Sequence, residues 1–452
     1  MIRYFGTILL FLLPMAVMFA QENKGAAGSK VFPYQIYQDQ LENGLKIVSI
    51  PFDSPGIIAY YTVVRTGSRN EVEPGKSGFA HFFEHMMFRG TEKYDKDKFN
   101  DVLKSIGADN NAFTSDDQTI YHTFASSAAL EQMMDIESDR FMHLKYSEDD
   151  FKTEAGAILG EYNKNSSSPF QAIEEKVREA AFTTHTYKHT TMGFLKDIQD
   201  MPNQYQYSLT FFDRWYRPEN CVLVIVGDFN HDNLLTLAKK YYGDWKTGNY
   251  KLDIPAEPPQ TEEKKIDLPW KSKTLPILTV SYHGPAFSDS LVDMPALDLL
   301  SQLYFSQTSD IFRKLVVEKQ IVEFIAANNS DHRDPELFWI FSRIKDIKNI
   351  DTVREMIYAA MEEAKTKPVD AQKLAAVKSH MRYAYAMGLN DANSVAGTAA
   401  EYISLTGDPE SANRVYAIYD KITPDDIMNA AKKYFTPNNR TVLVLHQEES
   451  GK

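Results

Sequence analysis

Short runs of apolar residues in the first half of the chain predict β-strands. Residues 45–50 follow a turn, and residues 57–64 are rich in β-branched and aromatic side chains. Two further short strands are expected on either side of a polar turn within 111–121. The apolar run at 221–226 predicts another strand. The first half is therefore expected to contain a sheet.

Other stretches repeat apolar residues at helical spacing and predict α-helices between these strands. The first helix is expected to begin with Ser77 as its N-cap and to end near Phe88. A later helix begins after Ser147 and carries Glu154 and Glu161. The remaining helices of the first half are expected over 96–106, 128–144, 205–216 and 232–242.

Two segments of similar sequence indicate that the second half of the chain repeats the first. Residues 216–220 precede the run Val-Leu-Val at 222–224, and residues 435–439, also with a central proline, precede the same run at 442–444. We therefore predict an α+β fold of two similar domains, each a mostly antiparallel sheet backed by helices. The alternative is an accidental match between two short segments.

The domain boundaries follow from composition. Residues 250–268 are rich in Pro, Glu and Lys with little periodicity, and they predict a linker between domains at 31–249 and 269–448. Residues 1–20 predict a secretory signal peptide, because a basic residue precedes an apolar stretch too short to span a bilayer. Residues 21–30 are then a polar, disordered leader.

These features predict an exported protein, either periplasmic or secreted. No segment beyond the signal peptide is long and apolar enough to cross a membrane, so we expect no stable membrane insertion after cleavage. An uncleaved anchor is the alternative. Cys221 is the single cysteine and lies in an apolar run, so we expect it in the core and not as a nucleophile.

The charge balance of the chain excludes some partners. It has 49 Lys and Arg residues against 62 Asp and Glu residues, a formal net charge of −13. This acidity argues against nucleic acid or an anionic membrane surface as a partner. It mildly favours peptides with some positive charge, although solubility alone explains it equally well.

Two histidines and a glutamate within one predicted helix indicate a metal site. His81 and His85 are four residues apart, so their imidazoles share one helix face and can bind one ion. Glu84 lies beside that face, where its carboxylate can act on a metal-bound water. Zn²⁺ suits imidazole and carboxylate ligands, and H-x-x-E-H is the inverzincin pattern. The alternative is two surface histidines on an amphipathic helix.

A catalytic zinc ion needs a third protein ligand, and the helix after Ser147 offers two candidates. Glu154 and Glu161 are seven residues apart and return to nearly the same helix face, among small and apolar residues. We assign Glu161 as the ligand and Glu154 as the carboxylate that accepts the other N–H of a ligating imidazole. Two solvated glutamates are the alternative.

Residues 78–91 resemble the zinc helix of the pitrilysin/insulinase/mitochondrial processing peptidase family. The interval between His85 and Glu161 is also close to that family's spacing. The resemblance implies that His81, His85 and Glu161 are the zinc ligands and that Glu84 is the general base. It implies one Zn²⁺ per chain, since the second half has no H-x-x-E-H.

The resemblance extends to further positions of the site. Glu154 falls where the family has its additional glutamate, which makes it a catalytic residue of this site. An extended peptide is implied to add to the strand at Asn111, Ala112, Phe113 and Thr114, because backbone pairing gives affinity with little sequence demand. The short bacterial two-domain members are the most similar in layout, and they imply one half of a clamshell.

One part of the second half departs from the family pattern. Active members carry an Arg and, seven residues later, a Tyr that bind substrate and steady the tetrahedral intermediate. Here Val317 and Phe324 stand at those positions, and Arg313 is out of register. We therefore expect the zinc-bearing subunit of a heterodimer whose homologous companion supplies the Arg and Tyr. A homodimer is the alternative.

The sequence thus favours a zinc endopeptidase that acts on peptides or small unfolded proteins. A non-catalytic peptide-binding or assembly subunit of the same family is one alternative, and a metal protein of another reaction class is a second. Four further histidines lack ligand spacing, and we expect them in surface or packing roles. They are His122, His143, His185 and His189.

Overall fold

The structure of the chain, a computed structural model, describes residues 30–448. The predicted signal peptide at 1–20 and residues 21–29 of the predicted leader lie outside the described residues. Lys30, the last residue of that leader, pairs with Glu410 of the second half at 2.9 Å. Within residues 30–448, no helix combines the length and the apolar character that crossing a bilayer requires.

The described part of the first half is built on one sheet. Its strands are β1 (Tyr37–Gln40), β2 (Lys46–Pro51), β3 (Ile57–Val64), β4 (Asp109–Thr114), β5 (Thr119–Ser126) and β6 (Cys221–Gly227). Its helices are α1 (Phe79–Met86), α2 (Lys96–Ser105), α3 (Leu130–His143), α4 (Glu148–Asn165), α5 (Pro169–Ala181), α6 (Leu195–Asp200), α7 (Tyr205–Trp215) and α8 (His231–Tyr242). The strand order is β1-β2-β6-β3-β5-β4, which leaves β4 at an edge.

The second half is built on a sheet of its own. Its strands are β7 (Lys264–Trp270), β8 (Ile277–His283), β9 (Val322–Asn329), β10 (Leu337–Ile344) and β11 (Arg440–Gln447). Its helices are α9 (Asp293–Phe305), α10 (Asp310–Phe312), α11 (Ile350–Thr366), α12 (Ala371–Gly388), α13 (Ala392–Thr406), α14 (Ser411–Lys421) and α15 (Pro424–Tyr434), and a π-helical turn (Arg313–Glu318) follows α10.

The two sheets have the same topology once β1 is set aside. The order β2-β6-β3-β5-β4 corresponds to β7-β11-β8-β10-β9, and in both sheets the first pair is parallel and the others antiparallel. The short turns that begin at Pro218 and Pro437 lead into β6 and β11, which occupy equivalent places. The predicted fold class of two similar α+β domains is therefore confirmed.

Each half also contributes a helix that covers the sheet of the other half. Strands β3 and β6 are buried along their length, and one of their faces packs against α13 through Val395. In return, Ile173 and Val177 of α5 pack against Leu443 and Leu445 of β11. A sheet with two apolar faces needs cover on both sides. Each domain therefore depends on the other for part of its core.

The end of the predicted linker is wrong. Residues 264–268 lie in strand β7, which pairs in parallel with β11. One face of this edge strand is half-buried and the other is exposed. Its Lys, Asp and Pro residues hide the alternation of apolar and polar residues that would predict a strand. Charged residues and proline are common on edge strands because they discourage pairing with another chain.

Arg140 of α3 has the largest side chain among the fully buried residues of the described chain. Its guanidinium donates two hydrogen bonds to Glu137 Oε2, at 3.0 and 2.7 Å, and it lies over the rings of Phe88, Phe99 and Tyr121. Both members of the pair are 1% exposed. Removing one partner of such a pair leaves an uncompensated charge in the core.

The variant Glu137→Ala is therefore expected to lower the free energy of unfolding by about 3–5 kcal/mol. Urea unfolding followed by circular dichroism measures this loss. The matched control is Lys152→Ala, which breaks the exposed pair with Glu148 and is expected to cost no more than about 0.5 kcal/mol. Equal losses in the two variants would contradict the assignment of a buried pair.

Candidate metal centre

Helix α1 presents one apolar face and one polar face. Phe79, Phe82, Phe83 and Met86 are all fully buried in the core of the first half. Since side chains three and four residues apart share a face, burying these four fixes the rotation of the helix. His81, Glu84 and His85 then face away from this core, towards α4 and β4.

The helix begins one residue later than predicted, because Gly78 and not Ser77 is the N-cap. Gly78 has φ +92°, a left-handed conformation that favours glycine. Ser77 donates its hydroxyl to Asp197 at 2.6 Å and so does not cap α1. The cap is supplied by Glu71, whose carboxylate accepts the N–H groups of Gly78 and Ala80, both at 2.7 Å.

Glu71 is a site residue that the sequence analysis missed. Its side chain is fully buried, and burial raises its pKa to about 8 although the backbone N–H groups of α1 act to lower it. A buried helix start must satisfy its free N–H groups, and the two side-chain oxygens of Glu71 accept two of them. The signal for it was weak, because Glu71 precedes the helix by a loop that has no capping pattern.

The structure brings together the three side chains assigned as ligands. Glu161 Oε2 lies 3.7 Å from His81 Nε2 and 3.5 Å from His85 Nε2. Ligand atoms at about 2.0–2.1 Å from a tetrahedral zinc ion lie about 3.3–3.4 Å from each other. The observed distances are therefore close to those of a tetrahedral site. His81, Glu84 and His85 also offer ligand atoms within 4.8 Å of one another.

The two imidazoles differ in their surroundings. Burial and the neighbouring His85 lower the pKa of His81 to about 4, so His81 is neutral at physiological pH, as a metal ligand must be. The hydrogen bond with Glu154 raises the pKa of His85, against the effect of burial. Within the described residues, Nδ1 of His81 is buried without a hydrogen-bond partner.

Glu154 lies behind His85, as predicted from its position on α4. Its Oε1 is 3.1 Å from His85 Nδ1, so Nε2 is the nitrogen that faces Glu161. Arg89 holds the other oxygen of Glu154. Burial acts to raise the pKa of Glu154, but the hydrogen bonds from His85 and Arg89 outweigh it and keep the carboxyl ionised. Arg89 was missed, although it lies one helical turn beyond His85.

Glu84 contacts the edge strand of the first sheet. Burial raises its pKa, the hydroxyl and backbone N–H of Thr114 lower it through hydrogen bonds, and the charge of Glu161 raises it. Thr114 is the last residue of β4, the open edge of the sheet. Phe113 is 44% exposed there, whereas Ala112 is buried. Thr114 therefore lies beside Glu84 at the end of a strand that has a free edge within residues 30–448.

The other sequence-predicted positions lie elsewhere. Val317 is 58% exposed in the π-helical turn, and Phe324 is half-buried on β9, the edge strand of the second sheet. His185 and His189 are buried, at 2% and 3% exposure, and His185 contacts Asp334 of the second half. Both have protein hydrogen-bond partners, which supports the predicted packing roles. His122 stacks on Tyr61, and Cys221 is buried.

Two family descriptions match the chain in succession. Insulinase (Peptidase family M16) matches residues 58–194, which contain α1, α4 and β4. Peptidase M16 inactive domain matches residues 204–381. The chain belongs to peptidase family M16. The family description of the second match agrees with a C-terminal domain that has no H-x-x-E-H.

Curated relatives of the chain include a zinc protease and a subunit of a processing peptidase. Zinc protease PqqE of Helicobacter pylori is 27% identical over 412 residues, which cover 90% of this chain and 91% of that protein. Mitochondrial-processing peptidase subunit beta of Bos taurus is 31% identical over 222 residues, which cover 48% of this chain and 44% of that protein. The chain is thus a member of a metallopeptidase family.

Solved structures have the same fold. A protease from Helicobacter pylori matches with a TM-score of 0.85 and 26% identity, over 91% of this chain and 99% of that chain. The periplasmic protease PqqL from Escherichia coli matches with a TM-score of 0.76 and 20% identity, over 92% of this chain and 48% of that chain. The two-domain layout therefore occurs both as a whole chain and as half of a longer protein.

The variant Glu154→Gln is expected to weaken zinc binding by about 10–100-fold, because it removes the charge behind His85 that orients the imidazole. Competition with a chromogenic chelator measures the affinity. Glu179→Gln, which changes an exposed carboxylate of α5 paired with Lys176, is the control and is expected to bind zinc as the wild type does. Unchanged affinity in the Glu154 variant would remove it from the site.

Proposed function

We propose that this M16 protein is a zinc-dependent endopeptidase that hydrolyses peptides or small unfolded proteins. The observation that carries the proposal is the convergence of His81, His85 and Glu161 from two helices, with Glu84 beside them. This arrangement has the ligand types, the spacing and the adjacent carboxylate that a hydrolytic zinc site needs. The named relatives support the same reaction class.

The donor set fits one zinc ion per chain. Two imidazole nitrogens and one carboxylate oxygen are a usual ligand set for catalytic zinc, and His81, His85 and Glu161 would hold the ion. Glu154 would keep His85 in the tautomer that leaves Nε2 free. When bound, zinc supplies Lewis-acid chemistry, acidifying water and polarising the scissile carbonyl.

Glu84 is the proposed general base. Its carboxylate would take a proton from the attacking water and then pass it to the leaving amine of the peptide. Burial raises its pKa towards the range where one group can both accept and return a proton. Glu84 lies close to His81 and His85 and contacts Thr114 of β4, which places its carboxylate between the candidate ligands and the edge strand.

The edge strand β4 is the proposed substrate-binding element. An extended peptide that pairs with Asn111 to Thr114 would pass Glu84, since Thr114 contacts that carboxylate. A cavity of about 470 Å³ lies between α5 and strands β9 and β10 and reaches Asn165, one helical turn after Glu161 on α4. It gives room for substrate side chains beyond the metal site.

The variant Glu84→Gln is expected to keep its zinc and to lose turnover by about 10²–10⁴-fold, because it cannot accept a proton. His81→Ala is expected to lose both zinc and turnover. Zinc content by atomic emission and cleavage of a quenched fluorescent peptide measure these outcomes. His143→Ala, at the end of α3, is the control that keeps both properties. A Glu84 variant with wild-type turnover would show that another group is the base.

The companion subunit is a further part of the proposal. Neither Val317 nor Phe324 can donate a hydrogen bond to a developing oxyanion, and such donors are worth about 10²–10³ in kcat. We propose that a homologous chain supplies an Arg and a Tyr in a heterodimer, with a homodimer as the alternative. The missing donors also favour a second candidate function, a non-catalytic peptide-binding or assembly subunit. The intact residues His81, Glu84, His85 and Glu161 count against this second function.

The purified chain alone is therefore expected to cleave peptides slowly. The double variant V317R/F324Y is expected to raise turnover by up to about 100-fold where two copies pair, because it restores both donors. V317A/F324L changes the same positions without adding donors and is the control. Quenched fluorescent peptides again give the rates. No gain in V317R/F324Y over V317A/F324L would contradict the role given to the two missing donors.

The place of action is proposed to be outside the cytoplasm. The relative PqqL of Escherichia coli is described as periplasmic. The predicted signal peptide at 1–20 supports export of this chain to the periplasm or beyond.

A further inference from the structure

The turn between β4 and β5, residues 115–118, lies at the contact between the two domains. On one side it packs on the backbone that follows β3. The N–H of Arg69 donates to the carbonyl of Asp116 at 2.8 Å, and a Cβ added to Gly67 would lie 2.2 Å from the carbonyl oxygen of Ser115. Glycine at position 67 therefore allows an approach that another residue would block.

The other side of this turn faces a loop of the second domain, residues 330–336. His332 Nε2 lies 3.0 Å from Asp116 Oδ2. The backbone N–H of Arg333 donates to Asp117 Oδ2 at 2.9 Å. The two neighbouring carboxylates of the turn thus each bind a group of the zinc-free domain.

These carboxylates are deeply buried and are satisfied on all sides. Asp116 is 5% exposed and also accepts from Arg178 Nη2 at 2.9 Å and from the hydroxyl of Ser68 at 2.7 Å. Asp117 is 4% exposed and also accepts from the hydroxyl of Tyr187 at 2.9 Å. Burying a carboxylate is costly unless it is paired and hydrogen-bonded, so loss of the second-domain contacts would leave both carboxylates with fewer partners and loosen this turn.

The same loop makes a second contact that fixes its own position. Asp334 accepts hydrogen bonds from Arg69 Nε at 2.5 Å and from His185 Nε2 at 2.9 Å, both in the first domain. These bonds lower the pKa of Asp334 well below its usual range, against the effect of burial. The loop is therefore held by charged hydrogen bonds at His332 and at Asp334, the residues on either side of Arg333.

The turn leads directly into the metal centre. Thr114, which precedes Ser115, lies against the carboxylate of Glu84 and lowers its pKa. Within the turn, Ser115 N–H donates to the carbonyl of Gln118 at 2.8 Å, so the end of β4 moves as one unit with the turn. A shift of the turn would therefore shift Thr114 against Glu84.

We propose that His332 and Arg333 of the zinc-free domain are positioning residues that hold the β4–β5 turn and thereby keep Thr114 and the substrate edge strand against Glu84. The inference rests on the proposed peptidase function, and it gives the second domain a role in the site of its own chain. It also explains why the loop 330–336 points its polar groups into the first domain.

The charge of His332 provides a specific readout. The groups around it are Asp116 and Asp117 from the turn, Arg178 and Tyr187 from α5 and the segment after it, and Asp331 and Glu336 from its own loop. Burial lowers the pKa of His332, but the hydrogen bond with Asp116 and the charges of Glu336 and Asp116 outweigh it and raise the pKa to about 9. Its contribution is complete below about pH 6.5 and is lost as the pH rises through about 9.

Hydrogen–deuterium exchange of the zinc-loaded full chain tests the positioning role without depending on turnover. His332→Ala is expected to speed exchange of the amides at 114–118 by about tenfold at neutral pH, since a hydrogen bond to a charged group is lost. His332→Gln, whose side-chain amide still donates to Asp116, is expected to restore most of the protection. His231→Ala, which breaks another His–Asp pair on α8, is the control and is expected to leave these amides unchanged.

Peptide cleavage supplies the second measurement. His332→Ala is expected to lower kcat by about tenfold with unchanged zinc content, and the ratio of wild-type to His332→Gln activity is expected to fall between pH 7 and pH 10. Wild-type exchange at 114–118 in His332→Ala, or a ratio that stays constant with pH, would overturn the proposal. A wild-type chain that cleaves no peptide would instead overturn the proposed peptidase function. The exchange data would then still show whether His332 holds residues 114–118.

Discussion

The packing of α1 against α4 is the constraint on which the rest of the site depends. Each residue of an α-helix advances the side-chain direction by about 100°, so a shift of one residue would turn the imidazoles away from Glu161. The apolar face of α1 fixes its rotation, and the buried carboxylate of Glu71 fixes where the helix begins. The geometry of the candidate metal centre thus depends on groups outside the candidate ligand set.

The sequence was most informative where a short-range rule applied. The four-residue spacing of His81 and His85 and the seven-residue spacing of Glu154 and Glu161 each predict a shared helix face, and the structure has both. The strands of the first sheet were equally predictable, because each is a short apolar run bounded by turns. These features depend on residues that are close in the sequence.

What the sequence did not predict depends on residues that are distant along the chain. Gly78 replaced Ser77 as the helix cap because Asp197, far along the chain, occupies the serine hydroxyl. Strand β7 falls within the predicted linker, because it is formed by pairing with β11, which joins the start and the end of the second half. The contacts between residues 115–118 and 330–336 likewise join two domains, and no local pattern indicates them.

The exchange of covering helices has a consequence for how the protein is made. The face of β3 and β6 that α13 covers stays open until residues 392–406 have been synthesised, long after the strands themselves. Contacts of such long sequence separation form slowly, and they leave apolar surface exposed in the growing chain. An incomplete chain therefore lacks a closed core, and its first sheet stays uncovered on one face until α13 has been made.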